Sequence, residues 1–213
     1  MIEIRSEPLE ALHEQGTLRS SFLVRTVYDV TPVGGGLGGL ALAERALDAP
    51  YEKDYDATPD GDPGAWSKQF DVSGWAFFSA WHSQERVGGA VVAFDTSGVD
   101  GLDRRRDVAV LWDLRVREDC RRSGVGRRLF SAASSRALAR GCSLLKVETQ
   151  NINVPACRFY AANGCMLGAI HQFAYPDFPD ESMLLWYRRL GSEAAHAAEG
   201  ERVPDPGGAS HRR

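Results

Sequence analysis

Val116-Arg117-Glu118-Asp119-Cys120-Arg121-Arg122-Ser123-Gly124-Val125-Gly126-Arg127-Arg128-Leu129 is the stretch on which the reading of this chain turns. It follows an alternating segment that reads as a strand and opens a segment with helical periodicity. Inside it lies Arg-x-x-Gly-x-Gly, from Arg121 to Gly126. The first turn of a helix carries amide groups without partners and a partial positive charge, which makes it an anion site. Gly124 and Gly126 lack a Cβ and let a diphosphate approach the backbone, while Arg121, Arg122, Arg127 and Arg128 surround it with charge. A plain strand-to-helix turn on a basic surface accounts for the six-residue pattern equally well, so its context has to decide.

Downstream, Val125, Leu129, Ala133 and Ala137 recur at i, i+4 and predict a helix over 124–140 that stops at Gly141. Ser143 to Thr149 predicts the next strand. Asn153 then caps a second helix, with Pro155 in its first turn and Gly164 beyond its end. Met166 to Phe173 and Met183 to Arg189 read as closing strands. Upstream, Asp107 to Val116 is a strand in which Val108, Val110, Trp112, Leu114 and Val116 are expected on one face, with Asp113 and Arg115 on the other.

Trp75 to Trp81 and Val87 to Phe94 are strands joined through Ser83-Gln84-Glu85-Arg86. Nearer the front, Pro8 to Gln15 predicts a short helix, Ser21 to Val30 a strand and Leu40 to Leu47 another. Between the last two, Val33-Gly34-Gly35-Gly36-Leu37-Gly38-Gly39 has no Lys-Ser/Thr ending and reads as a hairpin turn rather than a phosphate cradle. Pro50 to Ser67 is expected to be a long loop. Hairpins followed by a strand-helix-strand-helix-strand unit imply a mixed sheet with helices packed on it.

The chain has 213 residues, 43% hydrophobic and 25% charged, which suits one domain over 1–190 with a solvated tail over 191–213. A net charge of −4 argues against nucleic acid as a partner, since phosphate neutralisation needs a concentrated basic face. No apolar run approaches the ~20 residues that span a bilayer. Met1-Ile2-Glu3-Ile4-Arg5 has no basic head followed by an apolar stretch, so a cytoplasmic location without membrane contact is expected. Cys120, Cys142, Cys157 and Cys165 share no CxxC spacing and are expected to be free thiols, with no metal site.

The loop 121–126, followed one strand later by Asn153-Val154-Pro155-Ala156-Cys157-Arg158-Phe159-Tyr160, resembles the acetyl-CoA-binding core of the GNAT N-acetyltransferase superfamily. Within it, the run Val147-Glu148-Thr149-Gln150-Asn151-Ile152-Asn153 is similar to streptothricin acetyltransferases. So are Leu167-Gly168-Ala169-Ile170, Tyr175-Pro176-Asp177-Phe178-Pro179 and Pro50-Tyr51-Glu52-Lys53-Asp54-Tyr55-Asp56. The fold implied is α/β of the α+β type, a GNAT-like mixed and mostly antiparallel sheet with helices on both faces.

The resemblance implies acetyl-CoA as co-substrate, held by the backbone of Leu114, Arg115 and Val116, by Arg121, Arg122, Ser123, Gly124, Val125, Gly126 and Arg127, and by Asn153 and Ala156. It places Tyr160 as the general acid that protonates the departing thiolate; a core tyrosine satisfied elsewhere is the alternative. Asn153 holds the pantetheine arm, caps its helix, or does both. GNAT enzymes often carry a glutamate four residues before the position of Val116, where this chain has Trp112 followed by Asp113. The base is therefore open between Asp113 and Glu148, each of which can also be a paired structural carboxylate.

Trp112, Glu148, Tyr51 and Tyr175 are the candidate substrate contacts, with scattered core or loop aromatics as the plainer reading. The acceptor implied is a primary amine of a small molecule, in the nearest case the lysine-like amine of streptothricin, with antibiotic resistance as the outcome. Another amine, a protein N-terminus, or an idle acyl-CoA-binding module are the competing readings. The resemblance leaves a homodimer open.

Overall fold

The computed structural model of the chain describes residues 1–58 and 61–191, so the expected tail lies, beyond Gly191, outside the described residues. Nine strands and three α-helices follow in order among them: β1 (Ile2–Glu7), β2 (Phe22–Pro32), β3 (Leu40–Lys53), α1 (Trp66–Gln69), β4 (Ala76–His82), β5 (Glu85–Phe94), β6 (Val108–Val116), α2 (Val125–Ala139), β7 (Leu144–Gln150), α3 (Val154–Ala162), β8 (Met166–His171) and β9 (Met183–Arg189). The helix expected at the front is a 3-10 helix over Leu9–Thr17. Seven strands form one sheet in the order β1-β4-β5-β6-β7-β9-β8. Only β6 and β7 run parallel, joined by the crossover helix α2.

Hydrophobic stripes explain which helix lies where. Val125, Leu129, Ala133 and Ala137 of α2 are all buried and pack with Ala90, Val92, Ala109 and Leu111 of the sheet, and Cys157 and Tyr160 bring α3 to the same core. Each fully buried Leu or Phe side chain contributes about 1.5–3 kcal/mol here. The opposite face carries Phe77, Val91, Ala93 and Val110 beneath Leu12 and Trp66.

Three expectations change. β5 begins at Glu85, so the β4–β5 connection is the two-residue turn Ser83-Gln84, whose positive φ values of 48° and 70° match the right-handed twist of the hairpin. β3 continues through Lys53 into the segment expected as loop, and a 3-10 turn (Pro63–Ala65) and α1 occupy more of it. Pro50 escapes the usual ban on proline in strands because the register jumps from Val24↔Tyr51 to Thr26↔Ala46, leaving 47–50 bulged against Arg25.

The third change concerns β6. Val92 pairs with Leu111 and Val91 with Asp113, so Trp112 is an extra residue and the side-chain alternation flips there. Val110 and Trp112 join the cluster on one face, whereas Leu114 and Val116 pack against the α2 core on the other. The five apolar residues expected on one face are thus divided between two.

Candidate active site

The bulge at Trp112 shapes a cleft. β6 and β7 are hydrogen-bonded only from Val108↔Leu144 to Val110↔Lys146, although β6 runs on to Val116 and β7 to Gln150. On its other side β6 stays paired with β5 to Gly88↔Val116. The β7-facing edge past Leu111 therefore offers backbone amides and carbonyls without a strand partner, which suits an extended ligand that itself carries amides. Leu114, Arg115 and Val116 lie on that edge, the stretch whose backbone the family resemblance gives to the pantetheine arm.

Beyond the cleft the chain turns into α2. Arg122 (φ 59°) and Gly124 (φ 89°) adopt left-handed conformations, and Gly124 caps α2 without any side-chain hydrogen bond. A turn of this kind followed by an uncapped first helical turn concentrates amide donors on one concave spot. Ser123 and Gly124 are exposed there, as are Arg122 and Arg127, which have no carboxylate partner among the described residues.

Two residues of the motif serve the architecture. Arg121 donates to the carbonyls of Val116 and Ser21, each at 3.2 Å, tying the turn to β6 and to the chain entering β2. A Cβ on Gly126 would meet the Phe159 ring at 3.3 Å, so its missing side chain lets α2 rest on α3. The absence of a Cβ at Gly126 thus has a packing reason beside the diphosphate role expected of it. Val125 is buried, and the Ser123 hydroxyl donates to the Cys120 carbonyl.

A Cβ at Gly124, by contrast, meets nothing within 4 Å. Gly124→Asp therefore adds a strained φ and one negative charge without a clash. We expect acetyl-CoA affinity to fall roughly tenfold by calorimetry, the effect of one charge at a partly screened surface; unchanged affinity would mean that the diphosphate lies elsewhere.

Tyr160 is buried at 7% exposure between Phe130 and Phe159, with ring centroids at 5.8 and 5.1 Å. No hydrogen-bond partner of its hydroxyl occurs among the described residues. Burial, and then the charge of Asp113, hold its ionisation well above the ordinary phenol range, so the group stays a neutral O–H donor. Asn153 caps α3 by accepting from the Ala156 amide at 3.2 Å, which accounts for both residues structurally, and its side chain also lies beside the Tyr55 hydroxyl.

Asp113 points to the face opposite α2. Its Oδ2 accepts from Gln15 Nε2 at 2.6 Å and from Arg115 Nε at 2.9 Å. Burial raises its pKa against the lowering by those two donors. Arg115, expected to contribute backbone to the cofactor, has its side chain buried in a separate network. Its guanidinium also reaches Asp56 Oδ1 at 2.6 Å and the carbonyls of Leu18 and Gly61.

Glu148 is exposed at the far end of β7, and its Oε1 accepts from the Tyr175 hydroxyl at 2.7 Å. Gln150 Nε2 donates to the Tyr175 oxygen at 3.0 Å, and the Tyr55 hydroxyl donates to Gln150 Oε1. Tyr51 is exposed on β3, close enough to Glu181 and Asp180 for their charges, after partial burial, to raise its pKa. Trp112 packs against the aromatic cluster, edge-on to Phe70 and tilted against Trp75, each with centroids 5.2 Å away. Tyr160 thus lies within electrostatic range of Asp113 and Tyr55, Tyr55 adjoins both Asn153 and the chain of Gln150, Tyr175 and Glu148, and Trp112 stays, partly buried, with the aromatic cluster.

Gln15, Tyr55, Asp56 and Gln150 complete the site and went unassigned in the sequence. Tyr55, Asp56 and Gln150 lie inside two of the runs that resemble streptothricin acetyltransferases, the signal that marked them; Gln15 lies outside both. Among the described residues no group of three or more His, Cys, Asp or Glu is placed to hold a metal ion, and no helix is long and apolar enough to cross a membrane.

The family described as Acetyltransferase (GNAT) family matches residues 41–165. Streptothricin acetyltransferase of Escherichia coli is 30% identical over 187 residues, 86% of this chain and 94% of that protein. A crystal structure of nourseothricin acetyltransferase superposes with a TM-score of 0.68 at 25% identity, covering 88% of this chain and 98% of that one. That of a putative streptothricin acetyltransferase from Bacillus anthracis, in complex with acetyl coenzyme A, gives 0.69 at 22% identity, covering 89% and 99%. With a strand pair splayed open beside an uncapped helix and a family match over more than half its length, the chain belongs to the acetyltransferase (GNAT) family and is an acetyl-CoA-dependent N-acetyltransferase.

Proposed function

We propose that the acceptor is a primary amine of a small cationic molecule, the lysine-like amine of a streptothricin-type antibiotic, and that the amine attacks the thioester directly. The observation that carries this reading is the unpartnered Tyr160 hydroxyl, within electrostatic range of Asp113 and of Tyr55, from which hydrogen bonds lead through Gln150 and Tyr175 to the exposed Glu148. The E. coli relative named for streptothricin supports the choice of acceptor.

A lysine-like amine has pKa near 10.4, so freeing its lone pair at pH 7 costs roughly 4–5 kcal/mol. Glu148 docks the ammonium end. Asp113 takes the proton through Oδ1, the oxygen not engaged by Gln15 and Arg115, because burial makes it a stronger base than an ordinary aspartate. The amine nitrogen bonds to the thioester carbonyl carbon and the C–S bond breaks. Amides on the free edge of Leu114–Val116 stabilise the oxyanion, Tyr160 gives its proton to the leaving sulfur, and the second proton, shed by the nitrogen as the amide forms, restores the Tyr160 phenol. Protonation of Asp113 removes a charge that disfavours ionisation of Tyr160, so the two proton transfers assist one another.

Purified protein with acetyl-CoA should release thiol on addition of streptothricin and remain silent with polyamines and N-terminal peptides. Silence with streptothricin and turnover of a polyamine would sink the acceptor assignment. The pH profile gives a second test. Rate requires Asp113 ionised, so kcat/KM should fall on acidification through a limb displaced above the ordinary aspartate value of about 3.9. Asp113→Asn should abolish that limb, and an identical limb in the variant would exclude Asp113 as the base.

A further inference from the structure

Tyr55, Gln150, Tyr175 and Glu148 form a hydrogen-bonded chain drawn from three separate elements: the segment after β3, the end of β7 and the β8–β9 connection. Its polarity is forced. If the Gln150 amide were reversed, its oxygen would take the single proton of Tyr175 and leave none for Glu148, setting two lone-pair-bearing oxygens against each other at 2.7 Å. In the orientation found, each O–H and N–H points toward Glu148, and every link is satisfied.

A second contact clamps the same elements. Lys53 Nζ pairs with Glu181 at 2.6 Å, both side chains being about nine-tenths buried, and sits 3.7 Å from the centre of the Phe178 ring. The Tyr55 ring is held by Phe22, centroids 5.5 Å apart, so its hydroxyl is presented from a fixed position. Tyr55 also lies beside Asn153 at the start of α3. Its hydroxyl therefore stands at the boundary between the acceptor wall and the end of the cleft assigned to the pantetheine arm.

We propose that Tyr55 is a positioning residue for acceptor specificity: through Gln150 and Tyr175 it fixes the Glu148 carboxylate so that its second oxygen, Oε2, receives a cationic amine. This rests on the reading that the amine docks at Glu148. A carboxylate oriented by one donor and open on its other oxygen recognises an ammonium group by direction as well as charge. An unanchored carboxylate on an exposed strand end recognises it by charge alone.

The test is steady-state kinetics of Tyr55→Phe, which keeps the ring against Phe22 and removes the first donor. We expect the acceptor KM to rise about tenfold, with kcat and the acetyl-CoA KM within twofold of the parent. Tyr175→Phe should raise the same constant. Because the links act in series, the double variant should be no worse than Tyr175→Phe alone. Multiplying effects, an unchanged acceptor KM, or a loss that falls on acetyl-CoA would overturn the proposal. Should Tyr55→Phe fail to fold, Gln150→Leu breaks the chain at its middle link and is judged by the same criteria. Failure of the parent enzyme on streptothricin is a separate outcome that removes the acceptor assignment, and the inference is then tested with whichever amine is turned over.

Discussion

Tyr160→Phe should lower kcat about 100-fold while leaving acetyl-CoA affinity within twofold, since one general-acid contact contributes at least that much. The substitution removes a single oxygen from a ring that stays packed between Phe130 and Phe159, so the fold has no reason to respond. The departing thiolate, with thiol pKa near 8.5, is what the hydroxyl meets. A hydroxyl satisfied inside the protein would give a small kinetic effect and a stability loss of about 1 kcal/mol. The absence of any internal partner among the described residues argues for the first outcome. An unchanged kcat would remove Tyr160 from the mechanism.

Arg115→Met should cost about 2–3 kcal/mol of stability and lower Tm by roughly 5–10 °C. The guanidinium is 3% exposed and faces two carboxylates, Asp56 and Asp113, whose side chains are 31% and 17% exposed. Removing it strands both charges, and the partial exposure of the carboxylates brings the loss to or below the lower end of the roughly 3–5 kcal/mol usual for a broken buried pair. Burial alone would raise Asp56; the Ser20 amide and Arg115 hold it below the ordinary carboxylate range. Without Arg115 the pKa of Asp113 rises further, so the acid limb of kcat/KM should move to higher pH in the folded variant. Thermal unfolding and a pH series on the same preparation check both effects; a stable variant with an unmoved limb would contradict the network.

What the sequence disclosed and what it hid differ by range. The stripe of Val125, Leu129, Ala133 and Ala137, the stop at Gly141 and the cap at Asn153 are local patterns, and each is where the residues put it. The face of β6 was misjudged because Val108, Val110, Trp112, Leu114 and Val116 alternate perfectly, while a bulge is a property of pairing with β5 and leaves no mark on the alternation. That same bulge marks where β6 leaves β7. The partners of the site were hidden for a similar reason: Gln15 reaches Asp113 across 98 positions, Tyr55 reaches Gln150 across 95 and Arg115 reaches Asp56 across 59. Arg115 was given to the cofactor by the resemblance and through its backbone alone, and the partners of its side chain, Asp56 and the carbonyls of Leu18 and Gly61, are tertiary contacts that no local pattern shows. Gly126 was picked for its place in the motif, and the packing of Phe159 against it is a tertiary contact that the motif does not show.

A crystal of the protein soaked with acetyl-CoA tests the central claim most directly. The account predicts the diphosphate about 3 Å from the backbone amides between Arg122 and Arg127, with the pantetheine amides hydrogen-bonded along Leu114 to Val116 and the thioester sulfur near the Tyr160 hydroxyl. Electron density for the cofactor at any other place, or a β6–β7 cleft that stays empty at saturating ligand, would contradict it.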